Sequence, residues 1–155
     1  MNTYQHLKCR DRVVKEAIKW LKTPYAHYQR LKNVGVDCGC LLAEVYEKAK
    51  IIPHVEISYY PIDWHLHRSK EEFFSYLKPF AKKEYTLSEQ KPKPADIALF
   101  RYGRCVSHSA IVINYPIAIH AYMEWGCVAY CNIETDLDLK KRLVKFVDII
   151  GDADD

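Results

Sequence analysis

Two prolines, Pro92 and Pro94, separate a stretch with helical apolar spacing from one with strand spacing. Upstream, Val13, Val14, Ala17, Ile18 and Leu21 recur at helical intervals with charged residues between them. That pattern predicts a helix from Cys9 to about Leu21. Pro24 closes it, because the residue before a proline is pushed out of the α region. A loop rich in Tyr, His and Gly covers 23–37. Asp37 is a good N-cap, and Leu41, Leu42, Val45 and Ala49 form an apolar stripe, so a second helix should run from Cys38 to about Lys48. Tyr59 to Trp64 reads as an extended crossing segment. Ser69-Lys70-Glu71-Glu72 is a capping signature for a helix continuing to about Leu77. Downstream of the prolines, 97–101, 106–113, 117–122, 128–133 and 143–149 alternate or run apolar. The turns between them hold Gly103, Asn114 with Pro116, and Gly126. Helices first and antiparallel strands afterwards give an α+β fold.

The 155 residues suit one domain, expected over 1–150, with the acidic end 151–155 frayed. Hydrophobic residues at 49% and charged residues at 28% exclude a disordered chain. The longest apolar run is about four residues (110–113), so no membrane span is expected. A net charge of +3 does not imply nucleic acid. The N-terminus lacks the apolar stretch of a secretory signal. Synthesis and retention in the reducing cytoplasm are therefore expected, and the six cysteines (9, 38, 40, 105, 127, 131) are expected to stay unpaired.

Cys38 falls at the predicted start of the second helix, where unpaired amides and the helix dipole favour thiolate over thiol. Composition alone would also allow a buried, inert cysteine. A cysteine nucleophile needs a base, and the base an orienting partner. His108 shares strand parity with Ala110 and Val112, and His120 lies in the next strand across the turn at Asn114-Tyr115-Pro116. Paired as a hairpin, the two become neighbours, and one could take the thiol proton while the other holds its tautomer. Two partly buried structural histidines fit the same spacing.

Four segments then stand together: Thr23-Pro24-Tyr25; Gly35-Val36-Asp37-Cys38; Ala95-Asp96-Ile97-Ala98-Leu99-Phe100 with Ser107-His108-Ser109-Ala110-Ile111; and Ile119-His120-Ala121. In order and spacing they resemble the NlpC/P60 family, and within it the phage-tail and gene-transfer-agent branch of cell-wall peptidases. The resemblance covers roughly residues 10 to 130. It implies a papain-like α+β fold and hydrolysis of peptide bonds in peptidoglycan stem peptides, commonly beside D-γ-glutamyl and a diamino acid. It makes Cys38 the nucleophile, His108 the general base and His120 the orienter. Tyr25 and the Cys38 backbone N–H become oxyanion donors, and Asp37 stands with Tyr25 on the oxyanion and substrate side. No cofactor or metal is implied. Phage-tail proteins become partners, and the wall is reached by tail delivery or by lysis. The sequence departs from the family pattern at Gly39-Cys40 after the nucleophile and at Ala26-His27-Tyr28 after the Pro-Tyr pair, which bears on the shape of the substrate pocket.

Three rival readings stay open. Cys38, Cys40, Cys127 and Cys131 with the two histidines supply enough soft ligands for a structural zinc, although Cys-x-Cys is tighter than the usual ligand gap. A catalytically silent tail or adaptor module could keep the fold without the activity. The same three residues could also serve acyl transfer on a substrate outside the wall. Elsewhere, Cys40 is expected in the core, and Trp64, Trp125 and Tyr122 as core or groove-rim aromatics.

Overall fold

The computed structural model describes residues 1–61 and 74–153. The last part of the expected crossing segment, the capping signature at 69–72, and Trp64, His65 and His67 lie outside the described residues. Helix α1 spans Thr3–Lys19 and begins well before Cys9. Asn2 caps it, accepting from the Gln5 amide, while the Gln5 side chain accepts from the Asn2 amide. This reciprocal capping box satisfies two otherwise orphan donors, and it was readable as Asn-x-x-Gln. The expected loop before Cys38 holds a small hairpin, β1 (Arg30–Leu31) with β2 (Gly35–Val36). Gly35 sits where a Cβ would lie 2.7 Å from the Ala26 Cβ, so only glycine fits this close approach.

Helix α2 runs Cys38–Lys48, as its apolar stripe predicts. Most of the helix expected up to Leu77 lies outside the described residues; its last four positions, 74–77, form a turn, followed by a short 3-10 helix at Lys78–Phe80. Then come β3 (Lys83–Tyr85), β4 (Ile97–Tyr102), β5 (Cys105–Asn114), β6 (Ile117–Tyr122), β7 (Cys127–Asn132), helix α3 (Leu137–Arg142) and β8 (Leu143–Asp148). Sequence periodicity missed β3 and α3, which are too short to show a period. The six larger strands form one antiparallel sheet in the order β3-β8-β4-β5-β6-β7.

One face of this sheet packs on the two long helices. Val13, Ala17, Trp20, Leu41, Leu42 and Val45 meet Ile97, Leu99, Ile111, Ile119 and Val147 in the main core. Burying each such Leu, Ile or Val contributes about 1.5–3 kcal/mol, so this layer fixes α2 against the sheet. The other face carries a smaller core of Tyr85, Ala98, Phe100, Ala110, Leu139 and Phe146.

A buried charge cluster ties the chain ends together. Arg10 donates to Asp96 at 2.8 Å, to Asp148 at 2.7 Å, and to the Pro94 and Gly151 carbonyls. Its fork uses planar, paired acceptors, which is how an Arg is kept inside a core. Lys93 pairs with Asp152. The contacts of Arg10 and Lys93 thus reach Gly151 and Asp152. Among the described residues no disulfide joins the cysteines, and no helix is long and apolar enough to cross a membrane.

Candidate active site

Asp37 sets the start of α2. Its carboxylate is 1% exposed and accepts from the Cys40 amide at 2.9 Å as the N-cap. The other oxygen accepts from the Tyr28 amide at 2.8 Å and from the Tyr60 hydroxyl, with His27 Nδ1 at 3.8 Å. One carboxylate thus holds the helix start, the loop at 26–28 and the crossing segment before 61. All its contacts are internal, which places it beneath the site rather than on its surface. Tyr60 escaped sequence reading, because the aromatic stretch Tyr59-Tyr60 gave no hint of which helix it would touch.

Cys38 begins α2 and is 9% exposed. Its S–H points at the Ser107 carbonyl at 3.7 Å, and its own carbonyl accepts from the Ser109 hydroxyl at 3.4 Å. The residues on either side of His108 therefore dock on the helix start. The helix-dipole expectation of a lowered thiol pKa is corrected here. Burial first, then the negative charge of Asp37 and the neighbouring Cys40, push the Cys38 thiol well above the ordinary cysteine value, outweighing the backbone amides. Cys38 rests as a neutral thiol.

The histidines meet where two strands part. The β5–β6 ladder pairs Asn114 with Ile117, Val112 with Ala118 and Ile111 with Ile119, and goes no further toward Ser107. Beyond that point His108 Nε2 lies 2.8 Å from His120 Nδ1. A register shift against β4 leaves Ser107 as an extra residue between Val106 and His108, a bulge of the kind that re-aims a side chain. Phe100 and Tyr102 pack on the His108 ring, and Tyr122 stacks on His120 with ring centroids 4.8 Å apart. Burial, then the adjacent His120, push His108 well below the usual histidine value. Burial also pushes His120 down to about 4, against an opposing pull from Asp136. Both rings are neutral at pH 7, so the bond between them has one donor and one acceptor.

Solved structures similar to this chain share one architecture. The NlpC/P60 domain of the peptidoglycan hydrolase SagA matches with a TM-score of 0.59 and 17% identity, over 90% of this chain and 97% of that one. A lipoprotein-like protein of the NLP/P60 family from Staphylococcus aureus matches with a TM-score of 0.63 and 18% identity, over 93% of this chain and 42% of that one. The peptidoglycan hydrolase RipB from Mycobacterium tuberculosis matches with a TM-score of 0.60 and 15% identity, over 97% and 68%. The fold is that of NlpC/P60 domains. This chain spans less than half the length of several of the chains it matches. No protein-family model matches the sequence, and no curated protein shows significant similarity.

Within the NlpC/P60 fold Tyr25 stands where burial first, then its neighbours Cys38 and Asp37, disfavour ionisation and keep the phenol protonated. Its amide donates to the Gly126 carbonyl at 2.8 Å, and it bridges to Val36, so the β6–β7 turn and β2 fix its backbone. Tyr76, a further residue that sequence reading missed, donates to the Gly39 carbonyl from across the helix start. Sequence periodicity could not reveal it, since the contact joins segments far apart in the chain. For the zinc reading, no three His, Cys, Asp or Glu side chains converge as a metal site among the described residues. What the arrangement offers chemically is a thiol, a neutral imidazole one residue from the thiol's present acceptor, and a second imidazole holding the first.

Proposed function

We propose that the chain is a cysteine endopeptidase acting on peptidoglycan stem peptides at bonds of the D-γ-glutamyl–diamino acid type. The observation that carries this reading is the 2.8 Å His108–His120 bond beside a helix-start cysteine. That bond occupies His108 Nε2, so Nδ1 is the nitrogen left to act as base. Two of the similar structures are described as peptidoglycan hydrolases, which supports the wall as substrate.

In this mechanism the Cys38 S–H turns from the Ser107 carbonyl to His108 Nδ1 and gives up its proton. The thiolate attacks the scissile carbonyl carbon, and the oxyanion meets the Cys38 amide and the Tyr25 hydroxyl. Aimed donors of this kind contribute roughly 3–4 kcal/mol each to the transition state. The imidazolium returns the proton to the leaving amine as the C–N bond breaks, leaving a thioester. Water, deprotonated by His108, then cleaves the thioester and frees the acid. His120 orients the base throughout. Delivery by a phage-tail particle belongs to the same reading and is tested by looking for the protein in purified particles.

A silent module of the same fold is the second reading, favoured by the thiol's neutral resting state and its bond to a backbone carbonyl. Digestion of purified peptidoglycan by wild type and Cys38→Ala, read by mass spectrometry, separates the two. New free amino groups from wild type alone support the peptidase. Equal fragments from both proteins, or none from either, remove it.

A further inference from the structure

We propose that Asp136 is a positioning residue that fixes the tautomer of His120 and, through it, leaves the outer nitrogen of His108 unprotonated. The proposal rests on the peptidase reading only for its consequence in catalysis; the proton arrangement stands by itself.

The argument starts from the bond between two neutral rings. His108 Nε2 and His120 Nδ1 share one proton, which can sit on either side. If His108 donates, its Nδ1 carries a lone pair and can accept the Cys38 proton. If His120 donates, His108 must carry its proton on Nδ1 and has no lone pair there to offer. The two states differ in where His120 keeps its own proton: on Nε2 in the first, on Nδ1 in the second. Whatever faces His120 Nε2 therefore decides whether His108 is a base.

With Nδ1 turned to His108 and Tyr122 stacked on the ring face, the Nε2 edge of His120 is the part left to line a cavity, and Asp136 is the acid in that lining. His120 and Asp136 line one cavity of about 300 Å³ with Tyr122, Trp125 and Cys131. Tyr122 and Cys131 are neutral there, as their thiol and phenol values lie above the ordinary range. Asp136 is placed by the start of α3, where its Oδ1 accepts from the Leu139 amide at 3.1 Å. Its charge acts on the His120 ring. A negative charge stabilises an N–H dipole pointed toward it over a lone pair, so it favours the His120 tautomer with the proton on Nε2. The same logic holds where a buried acid orients the base of a hydrolytic triad.

The test is a tautomer measurement that needs no turnover. Protein labelled with ¹⁵N-histidine, carrying Cys38→Ala, gives long-range ¹H–¹⁵N correlations assigned by loss of signals in His108→Gln and His120→Gln. With Asp136 present, the His120 proton is expected on Nε2. Asp136→Asn keeps the helix cap through its carbonyl and removes the charge, so the share of the Nδ1 tautomer is expected to rise. Asp136→Ser keeps a cap without the charge, and the two forms are expected to mix. The pH of His120 protonation should also fall by about half a unit or more in both variants. Wild-type tautomer populations in both variants would overturn the proposal. The two ideas fail separately: a tautomer shift without Cys38-dependent wall digestion leaves Asp136 in place and removes the peptidase, and the reverse result removes Asp136 alone.

Discussion

Two buried polar clusters sit on this sheet, and they are built in opposite ways. At the chain ends Arg10 is 4% exposed and spends its guanidinium on two carboxylates and two carbonyls. Tyr85 adds a further donor to Asp96. Around the β5–β6 parting the groups are neutral, and the bond between His108 and His120 leaves an outer nitrogen on each ring uncommitted to the other. A structural cluster exhausts its hydrogen-bonding capacity, because an unmet buried charge is costly. The proposed catalytic pair keeps one valence in hand.

The contrast can be broken most sharply at His108. His108→Ala should lower the rate of wall-peptide release by about 10⁴-fold, with thermal stability close to wild type. Comparable fragment yields from the variant would place the reactive base elsewhere. Next in size, Arg10→Met leaves Asp96 and Asp148 buried without their cation, and should cost about 3–5 kcal/mol of unfolding free energy. Urea titration reads this, while the His108–His120 signals of the remaining folded protein should not move. A variant as stable as wild type would show that the charge cluster is not a structural clamp.

Smaller effects sharpen the picture. Gly35→Ala forces a methyl against Ala26 three residues before Cys38, and should cost about 1–3 kcal/mol. Alkylation of Cys38 should stay slow through pH 8, because burial and Asp37 hold the thiol protonated. Iodoacetamide labelling followed by peptide mapping checks it, and rapid labelling at neutral pH would reverse the assignment of a resting thiol. A further effect is on pH-dependent stability. The histidines titrate lower in the folded chain than their ordinary 6.5, with His120 near 4. Below about pH 6.5 the unfolded chain therefore binds more protons, and stability should decline as pH falls toward 4. His120→Gln should flatten that decline in acid urea titrations.

Much of this was legible before the structure. Helix α2 and strand β6 have the limits that their apolar patterns predict, because capping by Asp37 and the turn residues at Asn114 and Gly126 mark the boundaries chemically. The parity and spacing of His108 and His120 suffice to make them neighbours once β5 and β6 pair. Three things were hidden. The strand β3 pairs only with β8, far along the chain, so no local signal announces it. The acidity of Cys38 depends on burial, which a helix-start argument leaves out. The contacts of Tyr60, Tyr76 and Asp136 with the site join segments that only the tertiary fold brings together.

The Asp37 carboxylate has a consequence for anyone redesigning this protein. Because it holds Cys40, Tyr28 and Tyr60 at once, the stretch at 26–28 and the stretch ending at 60 are tied to one buried acceptor. Grafting either alone from a relative would leave a buried acceptor half met at the start of α2. Specificity at this site would then be inherited in matched pairs of segments.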